Sequence, residues 1–74
     1  MSYKVNIIIE KDEFGYYAYC PEFQGCQTQG DTFEEVMGNI KEAVELYIET
    51  LTPQEAESML NHEIFTSSYE VAFA

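Results

Sequence analysis

Cys20, Cys26 and His62 are the side chains of this chain best suited to soft-metal or thiol chemistry. A closed zinc site needs four ligands, commonly built on a tight Cys-x-x-Cys pair. Here the two cysteines are too far apart for that pair, and a carboxylate would have to complete the set. The pattern therefore does not specify a metal centre. A bridge between Cys20 and Cys26 is geometrically open, because both flank a turn, but a cytosolic setting favours free thiols. The simplest reading packs both as small apolar residues beneath the turn. Catalysis by a cysteine would need a base, and His62, the sole histidine, falls at an expected helix end. There is no Ser–His–Asp order, no Gly-rich phosphate loop and no HExxH. The carboxylates are spread along a helix face and loops, so no nuclease pair stands out. These residue types argue against an enzyme and imply no cofactor.

Charge narrows the partners. Fourteen Asp and Glu against three Lys and Arg give a formal charge of −11. Such a field repels a phosphate backbone, so direct nucleic-acid binding is not expected. A basic partner would be attracted and steered. Acidity also serves solubility alone, and does not by itself name a partner. No secretory signal opens the chain, and no apolar run reaches the ~20 residues of a membrane span. The expectation is a cytoplasmic protein. At 74 residues it reads as one domain over residues 1–74, near the lower limit for a self-sufficient core. Homo-oligomerisation or a tight partner is the usual supplement.

The elements that position these residues follow from periodicity. Residues 3–9 alternate and then turn wholly apolar and β-branched, as a strand does. Residues 11–15 are polar and end in glycine, which suits a hairpin turn. Residues 16–20 form an aromatic second strand, which Pro21 ends because proline cannot donate to a continuing ladder. A turn closing at Gly25 leads to a short third strand over residues 26–29. Gly30 supplies an unusual backbone angle at the corner. Thr32 and Glu35 have capping-box spacing, and Val36, Ile40, Ala43, Val44, Tyr47 and Leu51 draw one apolar stripe, so a helix is predicted over residues 33–50. Thr52 and Pro53 repeat the start signal for a short second helix to about Leu60. Tyr69, Val71 and Phe73 alternate with Glu70 and Ala72, predicting a closing strand within residues 63–73. The order is β-β-β-α-(α)-β, an α+β fold in which one long helix packs on an antiparallel sheet of three to four strands.

On the second strand, Tyr17 and Tyr19 share one face, and Tyr16, Ala18 and Cys20 the other. A helix packs most closely on small residues, which assigns Ala18 and Cys20 to it and leaves both tyrosines on the open face. Cross-strand pairing on a solvent face and a protein interface both account for exposed tyrosines. Ile8, out of phase with Val5, Ile7 and Ile9, adds an apolar residue to that face and favours the interface. The surface so assembled is Ile8, Tyr17 and Tyr19 with the acidic loop residues Asp12 and Glu13.

The stretch Tyr-Cys-Pro-Glu-Phe-Gln-Gly-Cys, then Thr-Gln-Gly-Asp-Thr, then Glu-Glu-Val and Asn-Ile-Lys-Glu-Ala resembles the HicB antitoxin family over residues 5–49. The resemblance implies a degraded ribonuclease-H-like fold without nuclease activity. It implies that the chain binds and masks a HicA-type toxin, a small basic ribonuclease that cleaves messenger RNA. Pro21, Gly25, Gly30, Thr32 and Glu35 are then scaffold positions. Family antitoxins usually add a C-terminal DNA-binding segment. This sequence has no basic helix after the closing strand, so it reads as a short form without that segment, for which direct nucleic-acid binding is not expected. The alternative is a stand-alone oligomeric domain with a structural or small-ligand role.

Overall fold

The computed structural model describes residues 3–61 and 63–73. Three antiparallel strands, β1 (Ile8–Asp12), β2 (Gly15–Tyr19) and β3 (Gln27–Gly30), form one sheet in the order β1-β2-β3. Helices α1 (Phe33–Glu49) and α2 (Pro53–Leu60) follow. The architecture is the expected α+β one, with a three-stranded sheet.

The first hairpin is tighter and longer than the polar run suggested. Asp12 pairs with Gly15 and Ile8 with Tyr19, which leaves only Glu13 and Phe14 in the turn. The Asp12 carboxylate accepts the Phe14 amide at 2.8 Å, and Gly15 takes a left-handed φ of 134° that a side chain would resist. Residues 3–7 run on from β1 without a strand partner. They are held instead by Glu22, whose Oε2 accepts the Asn6 backbone N–H at 2.9 Å and Asn6 Nδ2 at 2.8 Å.

One helix lies on one face of the sheet. Val36, Ile40 and Val44 of α1 bury against Ala18, Cys20, Phe23 and Cys26. Ala18 has no exposed surface, as close helix–sheet approach over a small residue requires. Helix α1 packs on β2 and β3, and Asn39 Nδ2 donates to the Gln29 carbonyl at 3.0 Å. Ile9 of β1, and Val5 and Ile7 in the segment before it, remain half-buried on the helix side. Among the described residues, no helix is long and apolar enough to cross a membrane.

Three local expectations need correction. Gly30 does not adopt a positive φ. It is required by space, since a Cβ there would sit 2.8 Å from the Val36 nitrogen and 3.1 Å from its Cα. Thr32 caps α1 by accepting the Glu35 amide at 3.0 Å, but Glu35 returns no bond. The reciprocal capping box forms at α2, between Thr52 and Glu55. The closing strand does not form within the chain: residues 63–73 have no strand partner and are almost wholly exposed. Alternation signals a face to be buried, and a strand also needs a neighbour to pair with.

Candidate functional site

The cysteine-bearing turn is a structural plug. The Cys20 amide donates to the Cys26 carbonyl at 3.0 Å, and the Phe23 and Cys26 amides to the Cys20 and Phe23 carbonyls, each at 3.1 Å. Gly25, with φ of 81° and open space around its missing Cβ, supplies the reversal. The reversal turns Phe23 inward, where its ring stacks on Tyr47 at 4.7 Å. Both cysteines are buried and free. Among the described residues, no three of His, Cys, Asp and Glu gather as a metal would require. His62 lies outside the described residues.

Burial pushes the Cys20 thiol up to about 11, and the negative charge of Glu22, whose Oε1 accepts the thiol at 3.6 Å, adds to this. Burial also raises Cys26. The sign of the stability effect follows. With the folded value above the unfolded 9.0, the thiol's contribution is complete below pH 9 and is lost as pH rises toward 11. At pH 8 the folded protein should leave both thiols unreactive toward Ellman's reagent, while the urea-unfolded chain reacts at both. Between pH 8 and pH 10.5 unfolding should become easier by about 2 kcal/mol, and Cys20→Ala should remove most of that dependence. Equal dependence in the variant would show that the thiol is not its source.

The residues expected at a partner surface fall into two linked places. On the open face of the sheet Ile8 stands opposite Tyr19, and Tyr17 is flanked by Glu10 and Gln29. The Tyr17 and Tyr19 rings lie 5.7 Å apart, and the Tyr17 hydroxyl donates to Gln27 Oε1 at 2.8 Å. These contacts leave both tyrosines half-buried. Asp12 lies at the far end of β1, four residues or about 13 Å from Ile8, and Glu13 follows it in the turn. Tyr17 joins the two places, because it lines an open cleft with Asp12, Phe14, Asp31 and Glu35.

That cleft contains residues the sequence did not single out for binding. The hairpin tip faces the start of α1, so Asp12 shares this cleft with Asp31 and Glu35, while Asp12, Glu13, Asp31 and Glu34 line an adjoining one. Lys11 is the one cation there, and its Nζ lies 5.5 Å from the Tyr16 ring centre. Within this acidic rim Phe14 is 86% exposed and Phe33 49%, with Tyr16 edge-on to Phe33 at 6.3 Å. The helix N-terminus offsets part of the charge of Asp31, Glu34 and Glu35; the hairpin-tip carboxylates have no such support. The available signal was Phe14 itself, an aromatic residue at a position where turns favour polar ones.

Comparison with known proteins finds a matching family and several relatives. Residues 3–73 match the family described as the HicB_like antitoxin of bacterial toxin-antitoxin systems. A UPF0150 protein of Helicobacter pylori is 43% identical over 95% of this chain and 97% of its own length. A UPF0150 protein of Synechocystis is 54% identical over 66% of this chain and 63% of its own, and one of Archaeoglobus fulgidus is 51% identical over 62% and 68%. No solved structure matches the chain.

Proposed function

The chain belongs to the HicB-like antitoxin family, and from that premise we propose that it binds a basic HicA-type ribonuclease and covers its active site. The observation that carries this reading is the acidic rim of Asp12, Glu13, Asp31, Glu34 and Glu35 around exposed Phe14 and Phe33. A basic RNA-cleaving protein presents cations where it holds phosphate. A surface with carboxylates at the edge and aromatic rings at the centre fits such a partner: charge speeds the encounter and rings hold the complex. Tyr17, Tyr19 and Ile8 extend the same surface along the open sheet face. The chain acts as a binding protein, with carboxylates standing in for the phosphates of RNA.

The test mixes the purified chain with a small basic HicA-type ribonuclease. We expect a stable complex, loss of RNA cleavage, and an affinity that falls about tenfold or more between 50 and 500 mM NaCl. No binding, or binding indifferent to salt, would reject the electrostatic mechanism.

A further inference from the structure

We propose that residues 64–73 form a fourth strand in trans, along the free edge of β1 in a second copy of this chain. The dimer would then be held by two exchanged strands. This inference does not rest on the toxin-binding reading.

The donor segment is apolar yet uncovered. Phe65 is 84% exposed, Tyr69 87%, Val71 68% and Phe73 fully exposed. Tyr69, Val71 and Phe73 recur at every second residue, so one face of an extended strand would carry all three. The segment also stands away from the body. The radius of gyration is 14.5 Å and the longest dimension 49 Å, whereas a compact chain of this length has a radius near ~11 Å. A run of this kind left in water is a pairing hazard unless something covers it.

The acceptor is the β1 edge. Of the two sheet edges, β3 is short and polar, reading QTQG, and Asn39 already occupies the Gln29 carbonyl. The β1 side is longer, since residues 3–7 continue it without a partner, so residues 3–12 match residues 64–73 in length. Its helix-side residues Val5, Ile7 and Ile9 are only half-buried, because α1 covers β2 and β3. A strand laid beside β1 would bury its apolar face next to them. Charge points the same way. Lys4 and Lys11, two of the three cations in the chain, lie along this edge, and the donor segment is bordered by Glu63 and carries Glu70. Reciprocal exchange closes with two-fold symmetry and leaves no donor unpaired.

Sedimentation of the full-length protein at about 50 µM in 0.15 M NaCl tests the proposal. Twice the chain mass is expected. Each copy carries −11, so added salt should tighten the dimer, opposite to its effect on toxin binding. Glu70→Pro and Val71→Pro remove adjacent backbone N–H groups that point to opposite edges of a strand. At least one of the two should therefore weaken dimerisation by about 100-fold, with helical circular dichroism unchanged. A monomeric full-length protein overturns the proposal, whether its tail is free or folded onto its own β1. So does a dimer that neither substitution weakens.

Discussion

Phe23→Ala is expected to be among the most damaging single substitutions in this chain, costing about 3–5 kcal/mol. The ring is 1% exposed and stacked on Tyr47 at an interplanar angle of 13°. Its removal leaves a void beneath α1 that the hydrogen-bonded turn cannot readily close over. A chain of this size has roughly 4–11 kcal/mol of stability in total, so the variant should be largely unfolded at 37 °C or melt some 15–30 °C lower. Urea and thermal unfolding followed by circular dichroism read this directly. A Phe23/Tyr47 double-mutant cycle should return about 0.5–1.5 kcal/mol of coupling. Phe14→Ala is the control: its ring is in water, and its loss should change stability by less than about 0.5 kcal/mol. A cost below about 1 kcal/mol at Phe23 would mean that the turn is not a core element.

That contrast shows where the sequence was legible. Helix α1 was readable because its stripe, its Thr32 cap and its length agree with one another, and it runs as Phe33–Glu49. The split of β2 into a helix face and an open face was readable because alternation and residue size point the same way. Phe23 was not, because it lies within a turn, where periodicity carries no burial signal. The φ explanation offered for Gly30 missed its cause, because a 2.8 Å approach between corner and helix leaves no mark in a single sequence. The acidic cleft was only half visible. Asp12 and Glu13 could be named, but Asp31, Glu34 and Glu35 join them through the packing of the hairpin tip against the helix start. The closing strand was read from real alternation, but a sequence cannot say which copy supplies the neighbouring edge.

The largest functional effect is expected from reversing charge at the hairpin tip. Asp12→Lys with Glu13→Lys shifts the local charge by four units, enough to cancel the excess of five carboxylates over Lys11 around the cleft. Association with a basic ribonuclease should slow by more than tenfold at low salt, and affinity should fall about 100-fold with a flatter salt dependence. Asp12 also accepts the Phe14 amide, so lysine there costs a turn bond as well as a charge. Asp12→Asn with Glu13→Gln retains an acceptor at the turn and removes only charge, and should fall between the wild type and the reversal. Net charge alone must be excluded, because the chain is acidic throughout. Glu45→Lys with Glu49→Lys makes the same four-unit change on exposed positions of α1, remote from the cleft, and should alter affinity less than about threefold. Phe14→Ala should act on the dissociation rate, since a central aromatic holds a complex that charge has only steered together. If the two reversals weaken binding equally, the partner reads overall charge, and the hairpin tip is not where it docks.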